Sequence, residues 1–224
     1  MCFWWWRRPF YGVVIMKPRK TVWGVGINDA DYVVKKQETI GYLNGKLKQK
    51  MVWICPYYQA WKEMLRRCYS AKYQETYPTY KGCSVSEKWL ALSNFRAWME
   101  KQDFEGMHLD KDILFKGNKV YSAETCVFVA PLVNAFINDQ RTSRGECLLG
   151  ACLHKPSGNF KSQCNNPFTK KYEHLGFFTC EQEAHEAWRK RKLELAHELA
   201  AIQTDPRVAT ALIDRYSKPQ LIGE

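Results

Sequence analysis

Gly106-Met-His-Leu-Asp-Lys-Asp-Ile113, Val120-Tyr-Ser-Ala-Glu-Thr-Cys-Val-Phe-Val129 and Pro131-Leu-Val-Asn134 follow one another near the middle of the chain. The first two stretches predict strands over 107–115 and 119–129, separated by the turn Lys116-Gly117-Asn118, where glycine accepts positive φ cheaply. Pro131 suits the first turn of a helix predicted from Pro131 to Asp139. The expected local structure is a β-β-α unit. Strand alternation then places His108, Asp110 and Asp112 on one face and Lys111 on the other. An imidazole and two carboxylates on one face, with Asn134 arriving on the helix, is an oxygen-rich set suited to Mg²⁺ or Mn²⁺. A metal held there would offset charge on a scissile phosphate while a nearby base deprotonates water. The competing reading is a polar strand edge carrying ordinary surface charges.

The surrounding chain fits a polyanionic partner. Its 224 residues carry 34 Lys and Arg against 23 Asp and Glu, a formal net charge of +11, which favours phosphate neutralisation and counterion release. A content of 46% hydrophobic and 14% aromatic residues supplies packed cores and argues against disorder. Nine cysteines are scattered singly with no CxxC pair, so they read as reduced, mostly packed thiols in the cytoplasm; a site from Cys55, Cys68, Cys83 and Cys126 is the metal-binding alternative. The opening stretch Met1 to Ile15 is aromatic, interrupted by Arg7, Arg8 and Pro9, and too short to span a bilayer. Residues 1–20 are therefore expected to be an extension, either an upstream-start artefact ahead of Met16 or an interfacial anchor, and no membrane partner is expected.

Between this extension and the β-β-α unit, strands are predicted at Val22–Ile27, Ile40–Leu43 and Lys46–Ile54, with Asn44-Gly45 as a hairpin turn. Gly24 and Gly26 lack the third glycine and following helix of a dinucleotide fingerprint and read as turn or bulge residues. Helical spacing over Tyr57–Tyr69 turns Trp61, Met64, Leu65 and Cys68 inward and Lys62, Arg66 and Arg67 outward. Gly82-Cys-Ser-Val85 reads as a short strand. Ser86 is expected to cap a helix to Lys101 that buries Trp89, Leu92, Phe95, Trp98 and Met99.

The charged stretch 139–146 reads as a linker. Beyond it, Cys147–Lys155, Asn159–Cys164 and His174–Phe178 predict three strands, and Thr179 is expected to cap a long helix with Trp188, Leu195, Leu199 and Ile202 on one stripe. A final helix is expected over 204–216. The fold class is thus α+β: a nuclease-like unit with a β lead-in over 21–140, a three-stranded antiparallel sheet packed on one helix over 146–204, and a helix and tail over 205–224.

Leu109-Asp110-Lys111-Asp112, Tyr121 to Val129 and Asn134, with Trp61 to Tyr69 and Cys83 to Trp89 upstream, resemble the HNH (ββα-metal) nuclease unit of phage homing endonucleases over roughly residues 55–140. The resemblance implies a metal-dependent DNA endonuclease with Asp110 and Asn134 as metal ligands. Lys111 occupies the place of the histidine base and Thr125 that of the middle asparagine. His108 is then the candidate base, Lys111 a phosphate contact, and Asn118 the residue that orients the base. Residues 147–202, through Gly150 to Lys155, Gly158 to Cys164, His174 to Phe177 and Glu183 to Trp188, resemble the APETALA or ethylene-response-factor DNA-binding domain that phage HNH homing endonucleases also carry. That likeness implies a double-stranded DNA partner, with His154, Lys161 and Gln163 on the reading face and Lys155, Lys170 and Lys171 on the backbone. It also implies the host cytoplasm for a phage-encoded chain. A noncatalytic DNA-binding protein with a degenerate nuclease unit is the alternative, and an RNA-binding accessory protein is a third reading.

Overall fold

The computed structural model describes residues 21–138 and 147–217. The extension expected over 1–20, the linker at 139–146 and the last seven residues lie outside the described residues. The fold is mixed α and β with a three-stranded antiparallel sheet. No helix among the described residues is long and apolar enough to cross a membrane.

Strands β1 (Lys35–Leu43) and β2 (Lys46–Ile54) form a long antiparallel hairpin. Asn44 and Gly45 both take positive φ, 49° and 72°, the primed turn whose twist matches its flanking strands. Val22–Ile27 is not the expected strand. It is a tight turn stitched by isolated bridges from Val22 to Gly26 and from Ile27 to Ala91.

Helix α1 (Pro56–Tyr69) starts on proline and buries Trp61, Met64, Leu65 and Cys68; α2 (Ala71–Thr76) follows it. The single helix expected from Ser86 to Lys101 is divided. A 3₁₀ turn at Glu87–Leu90 and α3 (Leu92–Met99) are separated at Ala91, which is extended at φ −88° and ψ 130°. The break has a cause: the Ile27 amide donates to Leu90 O and Ile27 O accepts from the Leu92 amide, so residue 27 takes over bonds a continuous helix would use. Ser86 makes no side-chain cap.

The central strands are shorter than expected. β3 (Ser84–Val85) pairs in parallel with β5 (Val120–Tyr121), while β4 (His108–Asp110) pairs antiparallel with β6 (Val127–Val129). Helix α4 (Pro131–Ile137) follows β6 directly. The second sheet orders β7 (Ala151–His154), β8 (Asn159–Asn166) and β9 (Lys171–Phe178) against α5 (Glu181–Ala200), and α6 (Pro206–Ser217) packs on α5. Cys180, not Thr179, holds the cap position of α5, without a side-chain bond, and Ile202 is exposed past the helix end.

Two cores hold these elements, and β6 lies between them. Phe128 joins the first, with Trp61, Leu65, Trp89, Phe95, Leu109 and Tyr121. Val127 and Val129 join the second, with Val133, Phe136, Trp188, Leu195, Leu199 and Leu212. The segments on either side of the expected linker therefore share one core. The reason is size: α4 has seven residues, too few to cover Val127 and Val129 without α5 and α6.

Lys192 belongs to the second core. Its buried Nζ donates to Phe136 O at 2.7 Å and lies 3.9 Å from the Phe136 ring centroid. Arg215 donates to Ile137 O at 3.2 Å, so two cations satisfy the C-terminal carbonyls of α4. Replacing Lys192 with Met is expected to cost about 0.5–1.5 kcal/mol, because the Phe136 carbonyl loses its shorter donor and keeps the Tyr216 hydroxyl at 3.5 Å. Urea denaturation checks it. A loss below roughly 0.5 kcal/mol would mean that this bond does not hold α4 in place.

Candidate functional site

Pairing of β4 with β6 sets His108 opposite Val129 and Asp110 opposite Val127. Leu109 between them points into the first core, so His108 and Asp110 share the other face. Arg67 braces the strand from behind. Expected to point outward, it instead turns in and donates to Leu109 O at 3.3 Å. Burial presses its pKa down, but the Tyr121 and Tyr80 hydroxyls outweigh burial and the net shift is upward. Arg66 does stay at the surface, pairing with Glu63 and stacking on Tyr73 at 4.4 Å.

Asn134 on α4 reaches His108, its Nδ2 lying 3.2 Å from His108 Nδ1. Asp110 is partly buried, and its Oδ1 accepts the backbone amides of Asp112 at 2.8 Å and Ile113 at 2.7 Å. Those bonds turn the chain off the strand, so Asp112 does not share the strand face expected for it. Burial, and then the neighbouring Asp112 charge, raise the Asp110 pKa, while the two amide bonds pull it down only in part. A half-buried carboxylate beside a second carboxylate is a place where a cation is welcome.

Two further candidates take structural roles. Lys111 does lie on the face opposite Asp110, but it is buried at 7% exposure, and its Nζ binds Asp112 Oδ2 at 2.9 Å. Burial lowers its pKa, the Asp112 bond and charge raise it further, and the net shift is upward. Its ammonium is turned inward and taken up by Asp112. Asn118 donates to Lys111 O and Val120 O, both at 2.7 Å, and accepts from the Val120 amide. It shapes the turn before β5 and does not orient His108. Thr125 likewise ties its loop, donating to Val120 O at 2.7 Å.

The base role expected of His108 turns on the orientation of the Asn134 amide. With the Asn134 amide nitrogen donating to Nδ1, a neutral imidazole carries its own proton on Nε2 and presents a donor. Rotating the Asn134 amide would free Nε2 as a base but turn the Asn134 oxygen onto the ring. In that second orientation the Asn134 oxygen, with two lone pairs, accepts from Nδ1–H and keeps a lone pair for a cation, so the two roles are compatible.

Among the described residues, no group of three or more His, Cys, Asp or Glu side chains is placed to hold a metal. That removes the four-cysteine alternative. Cys68 and Cys126 are buried thiols pushed up to about 12 by desolvation. Asp110 and Asn134 each carry an oxygen of the kind Mg²⁺ takes, and Mg²⁺ keeps several waters and needs few protein oxygens.

A second surface lies on the open face of the β7–β8–β9 sheet. Cross-strand pairs share a face, and the register aligns Cys152, Lys161 and Phe177, then Gln163 with His174, then Asn165 with Tyr172. Helix-side residues alternate with them: Ser162 donates to Ala184 O at 2.7 Å, and Glu173 bonds Arg191 at 2.6 Å. The Arg191 bond, then the Asn166 bond, hold Glu173 down at about 2. His154 is half-buried, its Nδ1 2.8 Å from Ser157 Oγ and its ring 5.0 Å from Phe177. Lys155 is exposed in the β7–β8 turn, and Lys170 and Lys171 are exposed at the β8–β9 turn, so they bracket the face from opposite ends.

Phe177, Tyr172 and His174 are additions that sequence reading missed. Phe177 is 50% exposed and Tyr172 72%. The register shift between Ser162 and Gln163 pairs Ser162 with Gly176 but Gln163 with His174, leaving Leu175 as an extra residue. That bulge carries Phe177 outward. Gly176 inside a strand was the only sequence signal of it.

Comparison of the chain with protein-family models, curated proteins and solved structures found no match.

A raised Asp110 pKa has a definite sign. The native chain holds this proton more tightly than the unfolded chain, so ionisation of Asp110 opposes folding above its folded pKa. The penalty fades as pH falls towards the ordinary carboxylate value. Asp110→Asn, which keeps an oxygen for the two amides, is expected to raise Tm at pH 7 in EDTA, with the gain shrinking towards pH 4. Mg²⁺ should raise the Tm of the parent chain and leave Asp110→Asn unmoved. A lower Tm at pH 7, or an equal Mg²⁺ response, would contradict the assignment.

Proposed function

We propose that the chain is a metal-dependent DNA endonuclease of HNH type, homing-like and acting in the cytoplasm, whose β7–β8–β9 sheet binds double-stranded DNA. The observation that carries this reading is the meeting of His108 and Asn134 across β4 and α4, with Asp110 two residues along the same strand face. The sheet supports it with Lys161, Gln163 and two histidines interleaved with Phe177 and Tyr172, a mixture that offers hydrogen bonds to base edges and flat apolar contact.

Asp110 and the Asn134 oxygen would hold Mg²⁺ or Mn²⁺, which when bound supplies positive charge to a phosphate and acidifies a ligated water. His108, fixed by the Asn134 amide, directs Nε2–H towards the negative charge carried by the phosphate oxygens. Asp112 keeps Lys111 charged and inward, so its cation sits behind the metal carboxylate and leaves the phosphate to the site's open side. Lys155, Lys170 and Lys171 meet backbone phosphates at the two ends of the sheet.

The second reading, a noncatalytic DNA-binding protein, is favoured by one observation: Lys111 stands buried and ion-paired where a base would be needed. Incubation of supercoiled plasmid with Mg²⁺ or Mn²⁺ separates the two. Nicking is expected from the parent chain, with a loss of roughly 100-fold or more in Asp110→Ala and Asn134→Ala, and about 10- to 100-fold in His108→Ala. Retained duplex binding without nicking in either metal would establish the noncatalytic reading. Phe177→Ala is expected to weaken duplex binding by about 1–2 kcal/mol and leave thermal stability nearly unchanged, because the ring is half exposed.

A further inference from the structure

The β1–β2 hairpin is built unlike the rest of the molecule. Of its eighteen strand residues, all but Gly41 and Ile54 are exposed, so neither face of the ribbon lies on a core. At nine residues per strand it extends roughly 30 Å. An isolated two-stranded ribbon is marginally stable in water, and this one also exposes Ile40, Tyr42, Leu43, Leu47, Met51, Val52 and Trp53.

Its charges are ordered. The ribbon carries five lysines against one glutamate. Register pairs Lys46 with Leu43, Lys48 with Gly41 and Lys50 with Glu38, so the three lysines of β2 stand on one face at every second residue, about 7 Å apart. Lys35 and Lys36 add charge at the root, where Lys36 lies 5.8 Å from the Trp53 ring centroid. The opposite face carries Tyr42 with Leu47, Thr39 with Gln49 and Gln37 with Met51, amides and a hydroxyl set among apolar groups.

We propose that this ribbon is a DNA-binding arm that lies in a groove of double-stranded DNA beyond the footprint of the β7–β8–β9 sheet. The face that carries Lys46, Lys48 and Lys50 turns to the duplex, where the three lysines meet backbone phosphates. A two-stranded ribbon fits the major groove, about 12 Å wide, and its length approaches one duplex turn of about 34 Å. Positive charge at regular spacing on an otherwise uncovered ribbon selects a polyanion over a second copy of the chain, whose like-charged arm it would repel. The proposal rests on the DNA-binding reading but not on cleavage.

The test compares the full chain with a K46Q/K48Q/K50Q variant by fluorescence anisotropy on a duplex of about 30 base pairs in EDTA, across a salt series. Three lost phosphate contacts should weaken binding roughly 10- to 100-fold near physiological salt and reduce the log–log salt slope by about 2 to 3. Hydroxyl-radical footprinting should show a protected stretch shorter by about 8 base pairs. If the parent chain binds and the variant matches it in slope and footprint, the arm proposal fails while the functional reading stands. If the variant instead gains or loses dimer in sedimentation with its DNA binding unchanged, the ribbon is a self-association surface and the proposal is overturned. Absence of duplex binding by the parent chain overturns both.

Discussion

Val127, Phe128 and Val129 form a strand buried on both faces, and the rest of the structure is arranged around that fact. A strand three residues long has little pairing energy of its own. It is held because each side chain enters a closed core, two to one side and one to the other, with burial of a Val or Phe stabilising by about 1.5–3 kcal/mol each. The edge of β6 then fixes β4, and β4 carries His108 and Asp110. The candidate centre is thus positioned by two cores at once, although its own residues lie largely outside both.

The same dependence explains where much of the positive charge goes. Arg67 supports Leu109, Lys111 is neutralised by Asp112, and Lys192 and Arg215 satisfy the end of α4. Arg189 bonds Glu186 and Tyr216 O, and Arg191 bonds Glu173 and Glu194. Three cations of the basic run on α5, Arg189, Arg191 and Lys192, therefore bind protein, and Lys190 is exposed. Exposed lysines remain on the sheet turns and the β1–β2 ribbon, and others, Lys72, Lys81, Lys88, Lys101, Lys116 and Lys190 among them, are spread over the rest of the surface.

Periodicity and turn chemistry made much of this fold legible. Asn44-Gly45 marked the hairpin, the inward stripe of α1 was correct, and the three strands and long helix after residue 147 were found where alternation and helical spacing placed them. What escaped was set by distant contacts. No local pattern shows that Ile27 will divide a helix at Ala91 or that Leu109 O needs Arg67, and the bulge at Leu175 left only Gly176 as a sign. The candidate centre shows the same division. His108, Asp110 and Asn134 could be named from residue type and spacing, but the inward turn of Lys111 depends on Asp112 leaving the strand. That in turn depends on Asp110 spending one oxygen on the backbone.

This last point limits what the centre can do. Asp110 has one oxygen committed to two amides, and Asn134 has its nitrogen committed to His108. Such an arrangement costs little to organise around a cation, since both ligands are already restrained. It also ties the imidazole to the metal ligand through one amide. With the Asn134 nitrogen on His108, the imidazole stays a donor. On the proposed reading, the protein would stabilise charge on phosphate and leave water activation to the cation.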